Sequence, residues 1–185
     1  MVKRSFNPLK TRSFFLFGAR GTGKSTWLRN ELTEENVISF NLLDPSLYES
    51  FLLNPRTFQE LVTSQEHSMK TVVIDDVQKV PALLDIIHDL ISSSKRIFIL
   101  TGSSARKLKQ KGVNLLAGRA SVYSLYPLSM NELGNAFQLT KALERGLLPE
   151  AYFYDQDIEA HEYLKAYIFT YIEKEIQKEQ WVRKL

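Results

Sequence analysis

The uncharged run Ser13-Phe14-Phe15-Leu16-Phe17 ends in Gly18, and Ala19-Arg20-Gly21-Thr22-Gly23-Lys24-Ser25 follows directly. The segment from Gly18 to Ser25 is a full match to G-x-x-x-x-G-K-[ST], placed between a short apolar strand pattern and a helical one. The spacing has a physical reason. Such a loop must fold tightly enough for consecutive backbone N–H groups to point inward at an anion. Glycines permit the positive φ angles and the close approach that a Cβ would block. Lys24 brings an ammonium suited to β- and γ-phosphates, and the Ser25 hydroxyl suits a magnesium ion. A helix beginning near Lys24 aims the positive end of its dipole at the same phosphates. Gly18, Ala19, Arg20, Gly21, Thr22, Gly23, Lys24, Ser25 and Thr26 are therefore expected to bind ATP with Mg2+. A chance match in a glycine-rich turn is the competing reading, and the strand before the loop and helix after it argue against that.

The rest of the chain supplies a matching frame. Residues 13–17, 37–43, 71–74, 96–100 and 120–125 read as strands, most of them apolar throughout. Helical patterns occupy 24–32, 46–53, 55–65 and 81–93, the last with Leu83, Leu84, Ile87, Leu90 and Ile91 as a stripe. Apolar strands alternating with helices imply a parallel sheet covered on both faces, an α/β class. Past about residue 127 the strand signal ends, and 129–137 and 159–178 read as helices. Leu164, Tyr167, Ile168, Tyr171, Ile172 and Ile176 share a face of the latter. The expected organisation is a core over 1–127 and a helical tail over 128–185.

Composition narrows the classes further. A chain of 185 residues, 44% hydrophobic and 24% charged, is of ordinary globular type. Without cysteine it has neither disulfides nor thiolate metal sites, and its three histidines lack ligand spacing. The net charge of +3 permits acidic or nucleic-acid partners without arguing for them. No apolar run approaches the roughly 20 residues of a membrane span, and the N-terminal stretch lacks a signal-peptide pattern. A cytoplasmic location is expected.

Thr71-Val72-Val73-Ile74 runs into Asp75-Asp76 some 50 residues after Lys24. An aspartate at the end of a strand beside the phosphate loop is placed to reach the magnesium, so Asp75 is the metal candidate. Asp76 is the candidate general base that polarises the attacking water. A capped turn is the plainer alternative for the pair. The strand ending in Leu100 delivers Thr101-Gly102-Ser103-Ser104, where Ser103 or Ser104 either contacts the γ-phosphate or caps a helix. Arg119 is a candidate for stabilising transition-state charge, in its own subunit or a neighbour's, against the alternative of a plain surface arginine. The basic run Arg106, Lys107, Lys109 and Lys111 is more simply a solvated face than a nucleic-acid patch.

Taken together, GARGTGKST, VVIDDVQKVP, ILTGSSARKL, LLAGRASVYSLYPLSMNEL, GLLPEAY and YLKAYIFTYIEKEI resemble, in this order, the prokaryotic AAA-type ATPases. The resemblance implies an AAA+ core with strand order 5-1-4-3-2 and ATP as ligand. It assigns Gly23, Lys24 and Ser25 to phosphate and magnesium, and Asp75 to the metal. It also assigns Ser103 or Ser104 to the sensor position, and Arg119 to the family's arginine after Ala-Gly. There are two departures. The family usually has glutamate where Asp76 stands, and it usually continues into a C-terminal domain, so that this chain reads as a truncated product or an excised fragment. The leading function is an ATPase that couples hydrolysis to a conformational change on an unknown protein partner, with a homo-oligomer possible. A nucleotide-dependent switch with little turnover is the alternative. A small-molecule kinase and a DNA-binding ATPase are weaker readings, the former for want of an arginine-rich lid segment.

Overall fold

The structure, a computed structural model, describes residues 2–32, 36–65, 68–105, 108 and 116–172. The chain divides into two compact units. One comprises Phe6–Ala19 and Lys24–Leu125; the other gathers residues up to Ser5, Arg20–Gly23 and the chain from Tyr126.

The first unit is built on five parallel strands: β1 (Phe14–Phe17), β2 (Val37–Asn41), β3 (Thr71–Asp75), β4 (Ile97–Gly102) and β5 (Ser121–Ser124). Their order across the sheet is β2-β3-β4-β1-β5, which is 5-1-4-3-2 counted from the other edge. Phe14 stands beside Ile99 of β4 and Ser121 of β5, and Thr71 beside Val37 and Ile97. Parallel pairing brings the C-terminal ends of β1, β3 and β4 to one edge.

Side chains alternate across a strand, so a fully apolar β1 serves two cores. Phe15 and Phe17 pack with Phe40, Phe51, Phe58, Leu83 and Ile87 beneath α2 (Pro45–Leu53), α3 (Arg56–Ser64) and α4 (Leu83–Ser93). Phe14 and Leu16 join Trp27 and Leu28 of α1 (Lys24–Glu31), together with Val73 and Ile99. Helices thus cover both faces. The rings of Phe40, Phe51 and Phe58 meet edge to face with centroids 5.3–5.6 Å apart, and the fully buried rings of Phe51 and Phe58 each contribute roughly 1.5–3 kcal/mol.

Local chemistry sets the ends. The apolar pattern extends β2 to residue 43, but the strand stops at Asn41, whose Oδ1 accepts the Leu43 N–H at 3.0 Å. A turn residue wins over an apolar run there. Asp44 then caps α2 by accepting from Ser46 N–H at 2.8 Å, with Pro45 in the first helical position.

The second unit is helical: α5 (Met130–Leu133), α6 (Leu139–Arg145), α7 (Pro149–Phe153), α8 (Asp157–Tyr167) and a π-helical stretch, Ile168–Ile172. Leu128, Leu133 and Tyr152 form its buried centre. α6 and α7 carry too little apolar periodicity to be foreseen. They are held by polar ties: Tyr152 Oη accepts from Gln138 N–H and donates to Ala136 O, while Arg145 donates to Asp157 and to Tyr154 O. Ile168 of the expected apolar face is 52% exposed where the helix passes into the π-helical stretch; Ile176 lies outside the described residues. Among the described residues no helix is long and apolar enough to cross a membrane.

Candidate functional site

The C-terminal edge of the sheet carries most of the residues singled out from the sequence. Gly18 leaves β1 with its N–H bonded to Gly102 O at 3.2 Å, so the start of the loop is tied to the end of β4. Lys24, the first residue of α1, folds back and donates from Nζ to Gly18 O at 2.7 Å and Ala19 O at 3.1 Å. Gly21 and Gly23 have φ of +78° and +92°, the left-handed backbone for which the pattern reserves glycine. Ser25 and Thr26 are exposed on the first turn of α1.

Asp75 is the last residue of β3, and Ser25 Oγ donates to its Oδ2 at 3.1 Å. Its other oxygen, Oδ1, accepts from the hydroxyl of Thr101, a fully buried residue of β4. The same hydroxyl accepts the Asp76 N–H at 3.2 Å. Thr101 therefore orients the Asp75 carboxylate and fixes the Asp76 backbone together. Asp76 takes a left-handed conformation, φ 61° and ψ 42°, one that aspartate tolerates better than most residues. Its Oδ1 accepts from Gln78 Nε2 at 2.7 Å. Ser103 and Ser104 follow β4 directly at this edge, both half-buried.

Arg119 lies elsewhere. It stands two residues before β5, whose first residue, Ser121, aligns with Phe14 at the opposite end of β1. At about 3.3 Å per residue this separates it from the loop edge by the length of a strand, and its guanidinium contacts the His88 ring on α4. Arg106, Lys107, Lys109 and Lys111 lie outside the described residues.

Within the second unit, two side chains hold the middle of the loop: Arg4, which the sequence did not single out, and Tyr167, expected only as part of an apolar helix face. Arg4 donates to Thr22 O at 2.7 Å and to Glu132 at 3.0 Å, and Tyr167 Oη donates to Arg20 O at 3.0 Å. A Cβ on Gly21 would come within 2.9 Å of Tyr163 Oη. Burial, helped by the Glu150 carboxylate, pushes the Tyr163 phenol above the ordinary tyrosine range and keeps it neutral. Glu132 is buried, which favours its neutral form. The Ser129 and Ser5 backbone N–H groups and the Arg4 guanidinium outweigh that and hold its carboxyl below the ordinary range. Thr101 and Gln78 were likewise not singled out; a threonine closing an otherwise apolar strand was the available signal for the first.

Known proteins bear on these observations at three levels. Over 129 residues the chain is 31% identical to an uncharacterized protein of Haemophilus influenzae. That match takes in 64% of this chain and 32% of the relative, so the chain spans about a third of the relative's length. In fold it is similar to the Walker-type ATPase of Pyrococcus abyssi, with a TM-score of 0.52 and 16% identity over 75% of this chain and 60% of that one. The model of the AAA domain family matches residues 10–134, and the chain belongs to that family of AAA-type P-loop ATPases.

Proposed function

We propose that this chain binds ATP with Mg2+ through Gly18–Thr26 and hydrolyses it to ADP and phosphate. The observation that carries the reading is the meeting of the Gly18 loop, the Lys24 ammonium and the Ser25–Asp75 pair at the C-terminal edge of a parallel sheet. Open α/β sheets bind their ligands at that edge. In the reaction a water oxygen bonds to the γ-phosphorus, the bond from that phosphorus to the bridging oxygen breaks, and ADP leaves with the electron pair. Asp76 takes the water's proton. Lys24 exchanges its loop carbonyls for β- and γ-phosphate oxygens, and Ser103 or Ser104 contacts the γ-phosphate.

The residues at the edge fit magnesium. Ser25 Oγ and Asp75 Oδ2 are hard oxygen donors 3.1 Å apart, and among the described residues no cluster of three or more His, Cys, Asp or Glu gathers to hold a metal. Magnesium suits such a sparse set, being held by one or two carboxylates with phosphates and waters. When bound it neutralises charge on the phosphate oxygens. Thr101 keeps the Asp75 carboxylate turned for that contact.

Arg119, at the far edge of its own sheet, serves the γ-phosphate of a neighbouring copy, which makes the active form a homo-oligomer. Turnover drives a conformational change on a protein partner in the cytoplasm. A second reading, a nucleotide switch with little turnover, draws support from Asp76, a carboxylate one methylene shorter than glutamate.

Calorimetry with Mg·ATP, followed by phosphate release at several protein concentrations, tests these readings. Wild type is expected to bind and release phosphate, with a rate per chain that rises with concentration. Lys24→Ala is expected to lose tight binding, at least a hundredfold. Absence of heat with wild type would overturn both readings. Binding without release would leave the switch, and a rate gained by Asp76→Glu would mark the short acid as limiting.

A further inference from the structure

Gln78 has a geometry that core packing does not account for. It sits in the 3-10 turn Val77–Lys79 directly after Asp76. Val77 is fully buried and Lys79 is tied down, its ammonium donating to Leu42 O at 2.8 Å over the Tyr48 ring. The backbone on both sides of Gln78 is therefore fixed. Its Nε2 donates to Asp76 Oδ1 at 2.7 Å. A carboxylate only accepts, so the NH2 group must face Asp76 and the carbonyl oxygen must face the other way. That oxygen, Oε1, is buried and has no hydrogen-bond partner among the described residues. It lies against Gly102, where a Cβ would come within 2.5 Å of it, so the glycine leaves the space that the amide fills. A buried acceptor without a partner destabilises the fold. A methionine would fill the same space without that cost, so packing alone does not favour glutamine here.

We infer that Gln78 is a positioning residue for the reaction: its amide holds one oxygen of Asp76, so that the other is presented to the attacking water. This rests on the reading of Asp76 as the proton acceptor in ATP hydrolysis. The aspartate is short and starts from a left-handed backbone, so its carboxylate direction depends on what grips it. Thr101 grips the Asp76 N–H and Gln78 grips the carboxylate, which fixes the residue at both ends.

Gln78→Met separates this role from a structural one, because it keeps the volume and removes both the donor and the unpaired oxygen. The expected result is a urea midpoint close to that of wild type, since relief of the unpaired oxygen offsets the lost bond to the carboxylate, an unchanged Kd for Mg·ATP and a kcat about ten- to a hundredfold lower, the scale of a small misplacement of a reacting group. In an Asp76→Glu background, whose longer carboxylate leaves Gln78 behind, the same substitution should change kcat less than twofold. An unchanged kcat in Gln78→Met, or an equal loss in both backgrounds, overturns the inference. So does a kcat that falls only in step with stability. If wild type binds Mg·ATP but releases no phosphate, the hydrolysis reading has failed instead. The grip is then read by NMR: the Gln78 side-chain amide protons should be downfield and protected in wild type, and should lose both features in Asp76→Ala. Resonances that do not respond to Asp76→Ala refute the grip itself.

Discussion

Thr101→Val changes shape least and hydrogen bonding most, which makes it a sharp probe of the sheet edge. The side chain is fully buried, and its hydroxyl donates to Asp75 Oδ1 while accepting the Asp76 N–H at 3.2 Å. Valine fills the same volume but takes the donor away from a carboxylate, a loss of about 1.5–3 kcal/mol. It also strands the Asp76 N–H, which adds about 1–3 kcal/mol if no water replaces the hydroxyl. The extra apolar group returns about 0.8 kcal/mol, and β-branching suits the strand. The net expectation is a loss of about 2–5 kcal/mol. At about 2–4 °C per kcal/mol for a chain of this size, Tm should fall by about 4–20 °C. Urea unfolding followed by circular dichroism measures it, with an unchanged m value showing that stability alone has moved. Thr101→Ser keeps both bonds and loses one methyl, so it should cost only about 1 kcal/mol. Should serine prove the more damaging of the two, packing rather than hydrogen bonding is what Thr101 supplies, and the reasoning fails.

Asp75→Ala should leave Mg-free nucleotide binding within a few fold of wild type and lower magnesium-dependent phosphate release by about a hundredfold or more, measured side by side. Gly21→Ala combines a positive φ with a 2.9 Å clash against Tyr163 Oη, and should weaken Mg·ATP binding at least tenfold by calorimetry. Glu132→Gln tests the depressed carboxyl held by Arg4, Ser5 and Ser129. A group whose folded pKa is lowered adds stability above its unfolded pKa and loses it as pH falls through the folded one. The variant should therefore be less stable than wild type by about 1–3 kcal/mol at pH 7, a gap that closes below the ordinary value of 4.5; urea midpoints across that range decide it.

Much of the sheet was legible because burial on both faces leaves an unambiguous trace. Phe14, Phe15, Leu16 and Phe17 are all apolar, since the two even residues face α1 and the two odd ones face α2, α3 and α4. The loop was legible for a different reason: positive φ at Gly21 and Gly23 demands glycine, so the backbone writes itself into the sequence. Thr101, Gln78 and Arg4 left no such mark. Each acts through a hydrogen bond, to a residue 25, 2 or 18 positions away, that residue type alone does not announce; a threonine closing an apolar strand hints at Thr101 without saying that it orients a carboxylate. α6 and α7 were illegible because their hold on the chain comes from Tyr152 and Arg145 rather than from an apolar stripe.

If the loop binds ATP as proposed, the posture of Lys24 bears on how it meets the polyphosphate. Its ammonium spans Gly18 O and Ala19 O at 2.7 and 3.1 Å, so it is already drawn over the start of the loop. Its carbonyl partners are neutral, whereas phosphate oxygens are anionic, and a bond between two charged groups is roughly twice as strong. On the proposed reading, exchange of these carbonyls for phosphate oxygens would be favourable, with part of the ordering of the four-carbon stem already spent on folding. A residue held this way contributes more to affinity than the same charge on a free stem, since the ordering cost falls on folding and not on binding.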